Sequence, residues 1–207
     1  SYRKSYGLED IKTLFRGTLR KKGYCKAWNI FVQLGMTNDT YFLENSIDLS
    51  NRDFINMFLP YNENLSVEEK FCTQFKLSRE SDIFKKFEWL GIFSSNKQNI
   101  SKATPAQLLQ TILEDKWSLS ENDKDMIVMQ HQFLYNLKGE NFKKTSSLVV
   151  FGENNVNTSM AKTVGLPVAI ATKLILQKKI TLKGVNIPTK PEFYKPILKE
   201  LSENGIV

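Results

Sequence analysis

Lys12-Thr-Leu-Phe-Arg-Gly-Thr-Leu-Arg20, running on into Gly23-Tyr-Cys-Lys-Ala-Trp28, reads as a strand that ends and turns into a helix. Successive side chains on a strand alternate between its two faces. Leu14, Arg16, Thr18 and Arg20 therefore share one face, and Phe15, Gly17 and Leu19 the other. The second face is apolar and reads as core. The first carries a planar guanidinium, a hydroxyl and a second guanidinium in a row. Gly17 lets another group approach the backbone closely. Arg16 and Thr18 can together hold a carboxylate, the guanidinium fork binding it through two parallel bonds and the hydroxyl donating a third. An edge strand with solvated arginines has the same pattern, because charged residues commonly guard such edges.

Outward from this stretch, Ser1 to Lys12 reads as a short helix and connector. Gly23 to Gly35 is an amphipathic helix with Ala27, Ile30, Phe31 and Leu34 on one face and Gly35 as a stop signal. Asp39 to Ser50 is polar and reads as a loop. Four helical segments then follow. Asn51–Leu59 stops before Pro60. Ser66–Phe75 opens on Ser66 with Glu69 three residues on, the reciprocal capping pattern. Ser81–Leu90 aligns Ile83, Phe84, Phe87 and Leu90 and ends at Gly91. The segment Thr104–Trp117 starts with Thr as cap and Pro105 in the first turn. Their aromatic residues at helical spacing predict a small helical core.

At Asp125 the period changes. Met126-Ile-Val-Met-Gln-His131 is a continuous β-type run and predicts a buried strand. Phe133–Leu137 alternates, Lys138-Gly-Glu-Asn141 turns, and Lys143–Phe151 returns, which together make a hairpin. The 13–20 strand is expected in the same sheet. Asn157-Thr-Ser159 caps a long helix from Met160 to Gln177. There Pro167 predicts either a kink or the start of the main helix, and Ala161, Gly165, Ala169 and Ala171 predict close packing. Glu192–Glu203 is a last helix. The fold class is α+β: an antiparallel or mixed sheet with helices on one face, plus an all-helical insertion. The expected division is a discontinuous α+β domain of residues 1–48 and 124–207, interrupted by a helical subdomain of residues 49–123.

The chain of 207 residues is 41% hydrophobic and 25% charged, which is ordinary for a globular protein and argues against a disordered one. Its longest apolar stretch, Val164–Leu176, contains a Pro, a Thr and a Lys and falls short of a membrane span. Ser1-Tyr-Arg-Lys-Ser-Tyr6 has no apolar signal region, and without an initiator Met it reads as the interior of a longer chain. Cys25 and Cys72 make no disulfide framework; they are expected as buried free thiols, fitting a reducing cytoplasm. The net charge of +7 fits attraction of an anionic small molecule. The pairs Lys21-Lys22, Lys85-Lys86, Lys143-Lys144 and Lys178-Lys179 lie in different elements, and this scattering argues against nucleic acid. One His, His131, and two distant Cys cannot make a zinc site. His131 beside a strand reads as structural. Glu121, Asp123 and Asp125 read as an acidic helix-to-strand junction. Lys162 lies at a helix start, a place that suits an anion, and is not assigned to the site.

Four blocks carry a resemblance. Arg16-Gly-Thr-Leu-Arg20 with Gly23-Tyr24, then Asp125-Met-Ile-Val-Met129, then Met160-Ala-Lys-Thr-Val-Gly-Leu-Pro167 on to Leu174, then Glu192-Phe-Tyr-Lys-Pro-Ile-Leu-Lys-Glu-Leu201 are similar, in this order, to the substrate-binding domain of saccharopine dehydrogenases of the glutamate-forming type. Between Thr40 and Asn122 the likeness is loose and rests on Glu88-Trp-Leu-Gly91. The resemblance implies a lysine-metabolism oxidoreductase that converts saccharopine to glutamate and aminoadipate semialdehyde, or the reverse, with NAD or NADP and no metal. It places Arg16, Gly17 and Thr18 in the site that grips saccharopine. It also implies a dinucleotide-binding Rossmann domain N-terminal to this chain, and a cytoplasmic homodimer without a membrane anchor.

No Gly-x-Gly-x-x-Gly turn follows a strand here, so the chain alone is expected neither to bind the dinucleotide nor to turn over substrate, and no catalytic residue is assigned in it. Two other readings are a non-catalytic interaction module of the same fold and a basic nucleic-acid-binding domain, the second distinguished by salt-dependent binding.

Overall fold

The computed structural model describes residues 2–207. In chain order the elements are α1 Tyr2–Ser5, α2 Tyr24–Leu34, β1 Leu43–Glu44, a 3-10 turn at Ser46–Asp48, α3 Asn51–Asn56, α4 Val67–Phe75, α5 Asp82–Leu90, β2 Lys102–Ala103, α6 Pro105–Trp117, β3 Met126–Leu137, β4 Glu140–Phe151, α7 Ser159–Leu176 and α8 Pro191–Glu203. The class is α+β. The chain divides into two compact units, residues 16–118 and residues 1–15 with 119–207.

The 16–118 unit is a small helical core tied by two short strands, β1 and β2. Helices α3, α4, α5 and α6 start where local side chains satisfy the first free N–H groups. Ser50 with Asp53, Ser66 with Glu69, and Thr104 with Gln107 each form a reciprocal capping box, and Ser81 accepts from the Phe84 N–H. Gly35 and Gly91 end α2 and α5 in left-handed backbone conformations that favour glycine. The core is aromatic. The Phe71 ring is fully buried with ring centroids of Phe75, Phe84, Phe87 and Phe93 between 4.8 and 6.3 Å away. Helix α2 belongs to this core through Ile30, Phe31 and Leu34, and the Phe31 and Phe87 rings lie 4.8 Å apart. Residues 16–48, expected with the α+β part, therefore share a unit with the helices. The reason is that the apolar face of α2 finds its partners among them.

The other unit is built on one antiparallel hairpin. Strands β3 and β4 pair without a bulge from Met126 opposite Phe151 to Leu137 opposite Glu140. The two-residue turn Lys138-Gly139 has positive φ at both positions, 52° and 89°, the backbone twist that tight hairpins need. Helix α7 packs on the hairpin and on α8. Ile170, Leu174, Ile180 and Leu201 form a second, smaller core with Leu166, Phe193, Ile197 and Ile206 around it. Lys173 and Glu200 form an ion pair between α7 and α8.

Several expectations are corrected. Residues 13–20 form no strand, and the sheet at 126–151 contains β3 and β4 alone. An extended segment becomes a strand only when a neighbour accepts its ladder of hydrogen bonds. The Met126–His131 run is a strand but not a buried one: Val128 is 60% exposed. A continuous apolar run buries only where both faces of its sheet are covered. Helix α7 runs unbroken past Pro167, and a Cβ at Gly165 would touch nothing, so that small residue marks no close packing. By length and composition α7 is long enough to cross a membrane. Cys25 is exposed and Cys72 half-buried, both as free thiols.

Candidate functional site

The segment holding Arg16, Gly17 and Thr18 has no regular secondary structure and is solvent-exposed. Phe15 and Leu19, expected in a core, are 88% and 94% exposed. Every residue from Thr13 to Arg20 is exposed, so no layer covers the side expected to be core. The division between the two units falls between Phe15 and Arg16. The downstream end of the segment is anchored within its own unit. The Arg20 guanidinium sits over the Tyr24 ring at 5.5 Å, and its Nη1 donates to the Leu19 carbonyl at 3.1 Å. Tyr24 stacks on Trp28 with centroids 6.0 Å apart, and Trp117 lies 6.4 Å from both. Arg20 is thus held against an aromatic cluster at the start of α2, an attraction of about 0.5–1 kcal/mol at an exposed site. Arg16 and Thr18 precede that anchor with a guanidinium fork and a hydroxyl two positions apart.

The remaining candidates resolve into structural roles. His131 is exposed on β3, opposite Ser146, with its ring 6.2 Å from that of Phe133. Lys162 is paired with Glu153 at 2.5 Å, and this ammonium holds the Glu153 carboxyl below its ordinary range. Asp123 accepts from the Ser120 N–H at 2.7 Å and closes a turn. Asp125 reaches the start of α7, accepting from the Ser159 N–H at 2.5 Å, the Ser159 hydroxyl at 2.7 Å and the Met160 N–H at 3.0 Å. Partial burial would raise its carboxyl pKa, but those hydrogen bonds outweigh it and hold the pKa below the ordinary value. Nothing local along the chain signals this link, which joins residues 34 apart. Among the described residues no group of His, Cys, Asp and Glu is arranged to hold a metal ion.

A sequence model of the saccharopine dehydrogenase C-terminal domain matches residues 1–206. The chain is 36% identical over 211 residues to the mitochondrial alpha-aminoadipic semialdehyde synthase of Rattus norvegicus, covering 100% of this chain and 23% of that protein. It is 34% identical over 209 residues to the NADP(+), L-glutamate-forming saccharopine dehydrogenase of Saccharomyces cerevisiae, covering 96% of this chain and 46% of that one. The solved apo structure of histidine-tagged saccharopine dehydrogenase (L-Glu forming) from Saccharomyces cerevisiae superposes with a TM-score of 0.75 at 31% identity, over 99% of this chain and 47% of the other. The chain therefore spans about a quarter to a half of the length of these relatives. With sequence and fold matching from end to end, the chain belongs to the saccharopine dehydrogenase C-terminal domain family.

Proposed function

We propose that this chain is the substrate-binding portion of a saccharopine dehydrogenase, and that Arg16, Gly17 and Thr18 grip a carboxylate of saccharopine. The observation that carries this reading is the exposed Arg16-Gly-Thr18 segment, followed by the Arg20–Tyr24 contact, in a chain that matches the family along its whole length. Saccharopine carries three carboxylates, so its site needs fixed cations and donors. The Arg16 fork supplies two parallel N–H groups, the Thr18 hydroxyl one more, and Gly17 leaves room for the ligand against the backbone.

The reaction removes a hydride from the carbon beside the secondary amine, and water then splits the product into glutamate and aminoadipate semialdehyde. A nicotinamide dinucleotide, when bound, would supply the hydride acceptor, and NADP is the form named for the yeast relative. Its binding turn is expected in an N-terminal Rossmann half, because no Gly-x-Gly-x-x-Gly turn occurs in this sequence. This chain alone is accordingly inactive in our reading. Its part is to hold and orient the anionic substrate.

We assign residues 1–48 and 124–207 to a discontinuous substrate-binding and dimerisation domain and place the enzyme in a reducing cytoplasm as a homodimer. The hairpin supports an assembly role. Met126, Val128, Val149 and Phe151 lie on one of its faces, all half exposed or more, and the outer edges of β3 and β4 pair with no further strand among the described residues.

The test is Arg16→Ala in the full-length enzyme. A charge-assisted bond of about 1.5–3 kcal/mol predicts a saccharopine KM raised tenfold or more with dinucleotide affinity unchanged. An unaltered KM removes Arg16 from the site.

A further inference from the structure

Within the 16–118 unit a cavity of about 520 Å³ opens between the first turns of α2 and α5, lined by Lys22, Gly23, Lys26, Ser81, Asp82, Ile83 and Lys86. This volume is in the range of small-molecule sites, about 300–1,000 Å³. Three of the lining residues are lysines. Lys22 stands just before the Gly23 cap of α2, and Lys26 lies in the first turn of that helix. Lys86 comes from α5, and its stem lies over Gly23: its Cε is 3.8 Å from where a Cβ on that glycine would stand.

Like charges repel when they share a cavity, so such lysines are normally neutralised by carboxylates. Here they are not: among the described residues none of the three has a carboxylate within ion-pair distance. The neighbouring Lys85, by contrast, is paired with Glu80 at 3.0 Å. Asp82 also lines the cavity, at the first position of α5, and leaves it with three cations and one anion. The start of α2 adds to the positive field, since Gly23 offers no side-chain cap and the first turn holds no acidic residue. Ile83 and the methylene stems of the lysines supply an apolar wall for the body of a ligand.

We propose that this cavity is a second anion site, distinct from the Arg16-Gly-Thr18 segment, and that it takes a small molecule bearing a multiply charged oxyanion, either a phosphate or a cluster of carboxylates. The assignment does not depend on the saccharopine reading, because it shares none of its residues and is tested without turnover.

The experiment is calorimetric titration of the protein with inorganic pyrophosphate and, separately, with citrate at low salt, alongside amide chemical-shift mapping. Saturable binding at one site per chain is expected, with shifts centred on residues 22–27 and 81–86. Tighter pyrophosphate binding assigns the site to phosphates, and tighter citrate binding to carboxylates. Lys22→Gln, Lys26→Gln and Lys86→Gln keep their stems and should each weaken binding about tenfold, the loss of one charge-assisted hydrogen bond. Asp82→Asn removes the opposing charge and should tighten binding several-fold, an effect a damaged fold would not produce. Lys199→Gln on α8 should change nothing. Absence of saturable binding by both anions, shifts centred elsewhere, or equal affinity in the triple Lys→Gln variant would overturn the proposal.

Discussion

The carboxylate of Asp125, just before β3, caps the first turn of α7 at Ser159, where it accepts the backbone N–H at 2.5 Å and the hydroxyl at 2.7 Å. One side chain therefore joins the beginning of the hairpin to the helix that packs on it. It also satisfies the Met160 N–H, at 3.0 Å, and places a negative charge at the positive end of an 18-residue helix. Asp125→Asn cannot accept all three bonds and should lower the Tm, and Asp125→Ala should lower it further. The folded carboxyl has a depressed pKa, so its contribution is fully present above the unfolded value of about 3.9 and is lost as pH falls through the folded value. Thermal melts followed by circular dichroism should show a gap between wild type and Asp125→Asn at pH 7 that closes in the acid range below about pH 4. A gap that stays constant down to pH 2.5 would assign the effect to something other than the charge.

Gly152 is the second half of the same junction. Its N–H donates to the Asp125 carbonyl at 2.9 Å, and a Cβ built on it would stand 2.1 Å from the Asp125 carboxylate and 2.9 Å from the Ser159 nitrogen. The second contact is backbone and cannot swing away. Gly152→Ala should therefore cost about 1–3 kcal/mol or more, the range for overpacking, measured by chemical denaturation. Combined with Asp125→Ala it should cost less than the sum of the two, because each disrupts the same three-way contact. Strict additivity would mean that the two residues act separately.

How far these features were legible in the sequence follows the distance between partners. The caps at Ser66 with Glu69 and at Thr104 with Gln107 lie three residues apart and could be read directly. The Lys138-Gly139 turn was legible for the same reason. The Asp125–Ser159 link was not, since nothing local distinguishes a carboxylate in an acidic turn from one that caps a helix far along the chain. The 13–20 stretch shows the opposite failure. Its alternation predicts a strand, but a strand also needs a neighbour, and period 2 says nothing about whether one is present. The Met126–His131 run likewise named its element and misjudged its burial, because burial is decided by what lies above and below a sheet. For the candidate site, Arg16 and Thr18 were named from side-chain chemistry and family likeness, whereas the lysine-lined cavity depends on α2 meeting α5 and has no sequence signature.

The helical core offers a sharper test of packing. Phe71 is fully buried among Phe75, Phe84, Phe87 and Phe93. Truncation removes apolar contact and leaves a cavity that surrounding rings, themselves packed, cannot close. Phe71→Ala should cost about 3–5 kcal/mol, and Phe71→Leu about 1.5 kcal/mol or less. Trp28, Trp89 and Trp117, the three tryptophans of the chain, all lie in the 16–118 unit, so tryptophan fluorescence during urea denaturation reads this core directly. A fluorescence midpoint unmoved by Phe71→Ala would show that Phe71 does not hold the unit together.

Arg52 and Glu68 test how much a partly buried ion pair contributes. The guanidinium meets the carboxylate through two parallel bonds of 2.6 and 2.7 Å and also donates to the Phe93 carbonyl at 3.2 Å, tying α3 to α4 and to the turn after α5. The side-chain hydrogen bond from Arg52 is the main reason the Glu68 carboxyl is held below its ordinary pKa; partial burial opposes it. Side-chain exposures of 34% and 20% leave the pair screened by water, so its worth is about 1 kcal/mol rather than the larger figure of a buried pair. Glu68→Gln should lose that amount at neutral pH. Arg52→Met should lose more, because it also strands the Phe93 carbonyl and leaves Glu68 without its cation. A double-mutant cycle isolates the pair itself, and its coupling energy should fall as salt is raised. Lowering the pH should erase it as well: a depressed carboxyl contributes fully above the unfolded glutamate value of about 4.3 and ceases to contribute as pH drops through the folded one. A coupling energy indifferent to both salt and pH would mean that Arg52 and Glu68 support the unit through the packing of their stems and not through their charges.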